Sequence, residues 1–116
     1  MTLSQEKHRD LIKEIFQHRW YEPILRILND GEARYREIRA GLITRYPGSP
    51  GDGYISRELA GLSRAGLVHK RETGPNRYLY SLTDDGLWAI GVFDAAYRAP
   101  MGNATAVATE QDDLLG

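Results

Sequence analysis

The side chains best known for catalysis and metal binding are few in this sequence, and their spacing does not suit that chemistry. There is no cysteine, and the three histidines lie at least ten residues apart with no paired ligands beside them. The glycine-rich run 48–53 lacks the preceding strand and the following lysine of a phosphate-binding loop. Asp84 and Asp85 are adjacent acids, but they follow Thr83, where helix capping accounts for them. We therefore predict a protein that is not an enzyme and uses no metal or cofactor.

Arginine supplies most of the remaining binding chemistry. Twelve of the 15 basic residues are arginine, and a guanidinium can donate two parallel hydrogen bonds to a phosphate or to a guanine edge. Residues 1–82 carry 14 Lys and Arg against 10 Asp and Glu, whereas residues 83–116 carry one basic residue against six acids. The net charge of −1 therefore hides a positively charged first part, which suits an anionic partner. Genomic base composition explains the preference for arginine over lysine equally well.

Hydrophobic periodicity and helix-end signals predict five helices around these residues. We expect Ser4 to cap the first helix, Asp52 the fourth and Thr83 the fifth, while Gly31 ends the second. Two prolines and three glycines within residues 45–53 predict a loop before the fourth helix. The predicted helices cover residues 4–18, 21–29, 34–42, 53–66 and 84–98.

Two short alternating runs between the last two helices predict a β-hairpin over residues 68–82, with its turn at 73–76. Residues 32–34 are a further short strand candidate. From residue 99 the sequence is small, polar and acidic, so we expect 99–116 to be a disordered tail. The chain has no membrane-spanning apolar run and opens with no signal-peptide pattern. We therefore expect a cytoplasmic protein that does not bind membranes.

This order of elements is typical of a winged helix-turn-helix domain, a mainly α fold with a small β-hairpin (α+β), over residues 1–98. A helix fits the DNA major groove, where each base pair presents a distinct pattern of donors and acceptors. In such domains the second helix of the helix-turn-helix enters that groove. We expect this recognition helix at about 53–66, and we expect the hairpin, or wing, at about 68–82 on the adjacent backbone or minor groove. The predicted function is sequence-specific, DNA-binding transcriptional regulation.

The sequence also resembles the HxlR-type regulators, within the wider MarR-like winged-helix group. The resemblance rests on Trp20, Pro23–Leu25, Leu28 and Gly31, followed by the runs RYREIRAGL, ISRELAGLSRAGLV and YSLTDDG. These features occur in the family's order over residues 16–90. The resemblance implies the same fold and the same DNA-binding function. The family often carries an N-terminal cysteine, which is absent here, so redox sensing is not implied.

The outward face of the predicted recognition helix supplies the candidates for base reading. Arg57 can donate a bidentate pair to guanine O6 and N7, and Tyr54 lies one turn before it. Helical spacing places Gly61 on the same outward face, and Gly53, Gly61 and Glu58 weigh against strong base reading. Arg64 and the cations of the third helix are assigned to phosphates, and those of the hairpin to phosphates or a narrow minor groove. The candidate DNA-binding residues are Arg36, Arg39, Tyr54, Ser56, Arg57, Arg64, Lys70, Arg71 and Arg77.

The first and last predicted helices are too apolar for a monomer of this size to bury fully. Pairing these helices across a two-fold axis would cover them and would place two recognition helices about one DNA turn apart. We therefore expect a homodimer that binds double-stranded DNA. The expected interface residues are Leu11, Ile12, Ile15, Phe16, Trp88, Val92, Phe93 and Tyr97.

Two alternatives remain open from the sequence alone. A winged-helix module that binds a protein instead of DNA would suit the near-zero net charge and the presence of Glu58 in the recognition helix. A drug- or metabolite-sensing regulator would bind a small aromatic ligand among the aromatic side chains of the two interface helices. Ordinary packing in a core or a dimer accounts for the same aromatic side chains.

Overall fold

A computed structural model describes residues 2–99 and confirms the predicted fold class. The described part of the chain contains five helices and one two-stranded antiparallel sheet. None of these helices has the length and apolar character needed to cross a bilayer. The predicted tail lies outside the described residues except for Ala99. The elements are α1 (Thr2–Gln17), α2 (Tyr21–Asn29), α3 (Tyr35–Arg45), α4 (Asp52–Arg64), β1 (Val68–Gly74), β2 (Arg77–Leu82) and α5 (Asp84–Arg98).

The core lies around α2, which packs against α3, α4, α5 and the hairpin. Ile24 and Leu25 of α2 have no exposed surface. Helix α4 contributes Ile55, Leu59 and Leu62, whose spacing places them on one face and which are all at most 2% exposed. Burial of an apolar side chain of this size contributes about 1.5–3 kcal/mol. These three side chains therefore determine how α4 is rotated about its axis.

The hairpin is held to the helices by a short bridge. In the register of the sheet, Val68 pairs with Leu82 at the base, and the register shifts by one residue near the tip. The predicted strand at 32–34 is present as a single antiparallel bridge between Ala33 and Tyr80. Two backbone hydrogen bonds of 3.0 and 2.8 Å close this bridge. Asn76 turns the tip with a φ of +56°, a conformation that Asn tolerates better than most residues.

The start of α5 is joined to the turn that follows α4. Thr83 caps α5 as predicted, because its Oγ1 accepts a hydrogen bond from the backbone N–H of Gly86 at 3.0 Å. The same hydroxyl donates to the carbonyl of Gly66 at 2.6 Å, while the Thr83 N–H donates to the carbonyl of Leu67 at 3.2 Å. The cap predicted for α1 is wrong. This helix begins at Thr2, so Ser4 lies inside its first turn.

Two glycines of α5 allow a matched test of this joint. A methyl group at Gly86 would overlap the carbonyl oxygen of Leu67, whereas one at Gly91 would meet nothing within 4 Å. We expect Gly86→Ala to lower the free energy of unfolding by about 1–3 kcal/mol through overpacking. Gly91→Ala should raise it by about 0.5–1 kcal/mol, because glycine is a poor helix former. Urea denaturation of both variants measures this, and equal effects would contradict the described packing of Gly86.

Candidate nucleic-acid interface

Helix α4 presents an exposed face opposite its three buried apolar residues. Tyr54, Ser56, Arg57 and Arg64 all lie on the solvent side of the helix, as the sequence predicted. Tyr54 and Arg57 are near the N-terminal end of α4, the part that enters the groove in helix-turn-helix proteins. The polar side of this helix is therefore free to meet another molecule.

Tyr54 and Arg57 form a stacked pair on that face. The guanidinium carbon of Arg57 lies 5.3 Å from the centre of the Tyr54 ring, within the range of a cation–π contact. The two residues are three apart, so they are neighbours on the helix surface. The stack restricts the rotamers of a long side chain before any partner binds, and it leaves the guanidinium N–H groups available as donors.

Two residues of α4 are buried, and for one of them, Gly61, the sequence predicted an outward position. Gly61 is buried, and a methyl group at this position would overlap the hydroxyl of Tyr21. Glu58 is also buried, at 6% exposure, with its carboxylate near His18. The prediction that Gly61 belongs to the outward face is therefore wrong, because contact with α2 requires a residue without a side chain there. Because Glu58 is buried, the exposed face of α4 carries one negative charge fewer.

Asp52 has a different role from the predicted one. The N-cap of α4 is Gly51, and Asp52 is the first helical residue. Its carboxylate forms an ion pair with Arg39 of α3, and the Tyr35 hydroxyl donates to it at 3.2 Å. These contacts tie the first turn of α4 to α3. Arg39 thus has a carboxylate partner already, whereas Arg36 has no ion pair within residues 2–99.

The cations of the wing do not share one face. Lys70 lies over Tyr78, with its Nζ 4.3 Å from the ring centre. Arg71 is the next residue along β1, so it points to the opposite side of the sheet, where it contacts Glu32 at 3.4 Å. Arg77 follows the turn and is exposed. The structure therefore separates Lys70 from Arg71 and pairs the latter with an acid.

A groove runs between α4 and the wing. Its volume is about 360 Å³, and its lining includes Ser56, Ser63 and Arg64 from α4 and Lys70 and Tyr80 from the sheet. No carboxylate is among the residues that line it. Three of the predicted binding residues, from two separate elements, thus meet around one cationic groove. Such a lining is suited to a phosphodiester backbone.

A second basic groove lies between α3 and the wing, with a volume of about 270 Å³. Arg36 and Arg77, both predicted, line it together with Arg34 and Tyr78. Arg34 also donates to the Tyr78 carbonyl at 3.3 Å and to the Thr73 hydroxyl at 3.2 Å. It therefore holds the wing against α3 while carrying a positive charge beside the groove.

Sequence reasoning missed Arg34 and Ser63. Nothing in the sequence near Arg34 indicates a contact with a strand about 40 residues away. The Oγ of Ser63 is buried and has no hydrogen-bond partner in the part of the chain that the structure describes. Ser63 is seven residues after Ser56, and this spacing places both hydroxyls on the same side of α4. The sequence therefore did contain a signal for Ser63.

The predicted interface residues on α1 and α5 divide into three groups by exposure. Phe16 is 53% exposed and Tyr97 is 70% exposed, although Phe16 also meets Phe93 edge-to-face at 5.1 Å between ring centres. An apolar strip therefore remains in contact with solvent along these two helices. The exposed residues are Ile12, Phe16 and Tyr97, the half-buried ones are Trp88 and Val92, and those buried within the protomer are Leu11, Ile15 and Phe93.

Within residues 2–99, no three His, Asp or Glu side chains form a group that could hold a metal ion. Burial raises the pKa of the Tyr80 hydroxyl in the wing. Burial also raises the pKa of Tyr35, with a smaller contribution from the nearby Asp52 carboxylate. Both phenols therefore stay protonated near neutral pH, and the Tyr35 hydroxyl donates to Asp52.

Comparison with known proteins connects this geometry to a family. Residues 15–98 match the profile of the HxlR-like helix-turn-helix family. No curated protein sequence matches the chain. The structure of H. salinarum RosR, from crystals grown with NaBr, has a TM-score of 0.62 and 26% sequence identity, covering 69% of this chain and 72% of RosR.

Two more distant solved structures are similar in fold. F93 from STIV, described as a winged-helix DNA-binding protein, has a TM-score of 0.59 and 19% identity, covering 67% of this chain and 86% of F93. A PadR family transcription regulator from Clostridium difficile R20291 has a TM-score of 0.62 and 16% identity, covering 84% of this chain and 99% of the regulator. At these identities the similarity concerns the fold alone.

The contact between Gly61 and Tyr21 provides a test of how α4 is seated. We expect Gly61→Ala to lower the free energy of unfolding by about 1–3 kcal/mol, because the buried Tyr21 ring cannot move aside freely. In a Tyr21→Phe background the clashing hydroxyl is gone, and the same substitution should be nearly neutral. A double-mutant cycle by urea denaturation measures this coupling. Additive effects would show that Tyr21 does not limit residue 61.

Proposed function

The chain belongs to the HxlR-like helix-turn-helix family, a family of DNA-binding transcription regulators, and from that premise we propose that it binds double-stranded DNA as a homodimer. Helix α4 enters the major groove, and the hairpin contacts the adjacent backbone or minor groove. The protein regulates transcription by occupying a promoter, which requires no catalytic chemistry.

The observation that carries this proposal is the separation of charge on α4. Its one glutamate, Glu58, is buried, while Arg57 and Arg64 are exposed. Asp52 in the first turn is held by Arg39. An exposed surface with free guanidinium groups and no free carboxylate attracts phosphates and matches the acceptor edge of guanine.

The two grooves that flank the wing extend this surface. Lys70 and Arg64 belong to one groove and Arg36 and Arg77 to the other. We assign these four cations to phosphate contacts, which position the protein without reading sequence. Arg57, restrained by Tyr54, is assigned to base reading. Arg39 and Arg71 contribute less, because each already has an acidic partner.

Homodimer formation is supported by the apolar strip on α1 and α5. Ile12, Phe16 and Tyr97 are exposed there, and exposed apolar surface of this kind is typical of subunit interfaces. An isologous contact across a two-fold axis presents two copies of α4 to two half-sites. Leu11, Ile15 and Phe93 are already buried within one protomer. We therefore assign them to packing under this face and not to direct contact with the second subunit.

The structure gives less support to the two alternatives. The case for a protein-binding module drew partly on the presence of Glu58 in the recognition helix, and that residue is buried. A groove beside Phe16, Phe93 and Tyr97 has a volume of about 170 Å³, below the roughly 300–1,000 Å³ of pockets that hold drug-sized ligands. We therefore propose no small-molecule ligand for it.

The direct test of the proposal is selection of bound duplexes from a random DNA pool. We expect enrichment of a two-fold symmetric motif with half-sites about one helical turn apart. A gel-shift assay with the selected duplex then gives the affinity and its salt dependence, which should be steep. Recovery of unenriched DNA, or no retention of DNA at all, would contradict the proposal.

Arg57 and Arg77 should behave differently when each is changed to alanine. Arg57→Ala is expected to lose about 1–3 kcal/mol of discrimination between the selected and a random duplex, because a bidentate base contact is removed. Arg77→Ala should weaken both duplexes alike and reduce the slope of log affinity against log salt by about 1. Fluorescence anisotropy at several salt concentrations measures both quantities. Equal losses for the two variants would refute the assigned role of Arg57.

The proposed dimer face can be tested with a control of matched exposure. Phe16 and Ile43 are both 53% exposed, but Ile43 lies on α3, which is not one of the two helices of the predicted interface. We expect Phe16→Glu to produce a monomer, since it places a charge in an apolar interface, while Ile43→Glu leaves the dimer intact. Sedimentation velocity distinguishes the two states. A monomeric wild type, or dissociation by both variants, would argue against this interface.

A further inference from the structure

The groove between α3 and the wing contains more aromatic rings than a phosphate contact requires. Three phenol rings line it, those of Tyr35, Tyr78 and Tyr80. The groove between α4 and the wing has a single aromatic ring in its lining, that of Tyr80. A phosphodiester backbone is bound through its charge and its oxygens, so it does not account for three rings. Concave sites that combine aromatic walls with a few polar groups are typical of small ligands.

The cations of this groove have no acidic partners in the part of the chain that the structure describes. Arg34, Arg36 and Arg77 take part in none of the ion pairs within residues 2–99, and no carboxylate lines the groove. Arg34 donates to the wing through one terminal nitrogen, Nη1, which leaves its second terminal nitrogen as a donor. Three guanidinium groups beside one groove suit a phosphate that carries two negative charges.

The rings of this groove are held in place by the surrounding structure. Tyr80 is buried, and the Tyr35 hydroxyl donates to the backbone carbonyl of Asp52 at 3.0 Å. Tyr78 is half-buried. Lys70 lies over the Tyr78 ring, with its Nζ 4.3 Å from the ring centre, but Lys70 does not line this groove. The part of the Tyr78 ring that lines the groove is therefore not covered by the lysine, and it can pack against a flat molecule.

A flat aromatic ring joined to a phosphate is the chemistry of a nucleotide whose base is unpaired. In a duplex the bases cover one another's faces, whereas an unpaired base can stack on a tyrosine ring. Asn76 at the hairpin turn also lines the groove, and its amide can both donate to and accept from the edge of a base. The groove volume of about 270 Å³ is just below the roughly 300–1,000 Å³ of sites for drug-sized ligands. This volume limits the occupant to about one nucleotide.

We propose that the groove between α3 and the wing binds one unpaired nucleotide, with its phosphate on Arg36 and Arg77 and its base stacked on Tyr78. The inference goes beyond the proposed function, because a fully paired duplex has no unstacked base to offer. The nucleotide is either a free 5′-mononucleotide or an unpaired position in a DNA strand. Because Arg36 and Arg77 are also assigned to DNA phosphates, a free nucleotide and a paired duplex exclude each other at this groove.

The first experiment is isothermal titration calorimetry without DNA, at constant ionic strength. The probes are AMP, ribose 5-phosphate, which lacks the base, and adenosine, which lacks the phosphate. We expect AMP to bind roughly tenfold more tightly than ribose 5-phosphate, because its base stacks on a side chain. AMP should also bind at least about tenfold more tightly than adenosine, because the arginines contact its phosphate. Equal binding of AMP and ribose 5-phosphate would overturn the inference, since the rings would then contribute nothing.

Variants of the lining test the two parts of the ligand separately. Arg36→Ala and Arg77→Ala should each weaken AMP binding by about three- to tenfold. Tyr78→Leu should reduce AMP binding to the level of ribose 5-phosphate, whereas Tyr78→Phe, which retains the ring, should keep the wild-type difference. Arg64→Ala is the control for charge, because Arg64 lines the other groove and not this one. An equal loss in Arg64→Ala and Arg36→Ala would indicate general electrostatic attraction and would overturn the proposed site.

A second experiment distinguishes the two sources of the nucleotide. Fluorescence anisotropy compares a fully paired duplex with the same duplex carrying one unpaired adenosine nucleotide. Binding of the second duplex that is about tenfold tighter, with the difference lost in Tyr78→Leu, would identify a nucleotide within a DNA strand. Equal binding of both duplexes, with displacement of both by AMP, would identify a free nucleotide.

The nucleotide site and the proposed function fail in different ways. AMP binding without binding of either duplex would contradict the proposed function and support the nucleotide site. DNA binding with neither AMP binding nor a preference for the unpaired nucleotide would overturn the nucleotide site alone.

Discussion

The orientation of α4 depends on the burial of its three apolar residues in the core. Ile55, Leu59 and Leu62 are on one face and leave no freedom for the helix to rotate. Because side chains are 100° apart, this one constraint determines which residues meet solvent and which meet the core. The exposed position of Arg57 and the buried position of Glu58 follow from it. The proposed base contact therefore depends on how α4 is packed in the core.

Much of the fold was predictable because its signals are local. Helix periods, the Thr83 cap and the alternation of the hairpin all appear within a few residues, and each matches the structure. The outward face of α3, and that of α4 apart from Gly61, follow from the same periodicity. The sequence indicated the individual cations that line the grooves beside the wing, but not the grooves themselves. The grooves form because α3, α4 and the sheet bring together residues that are distant in the chain.

The errors have a common physical cause. Helical spacing placed Gly61 on the outward face, but its neighbour is Tyr21, forty residues away in the chain. Asp52 has the residue type of an N-cap, but Arg39 of another helix takes its carboxylate. Glu58 is a charged residue that tertiary packing buries. In each case a contact between helices outweighed a local preference that sequence reasoning could detect.

The joint at Thr83 links the wing to α5 mechanically. One hydroxyl bridges the turn after α4 and the first turn of α5, and Gly86 sits directly against the Leu67 carbonyl at the base of the hairpin. The hairpin is also held at its middle by the Ala33–Tyr80 bridge, so helices hold the wing at two points. If α5 packs against a second subunit as proposed, the same contact that forms the dimer would act through this joint on the base of each wing.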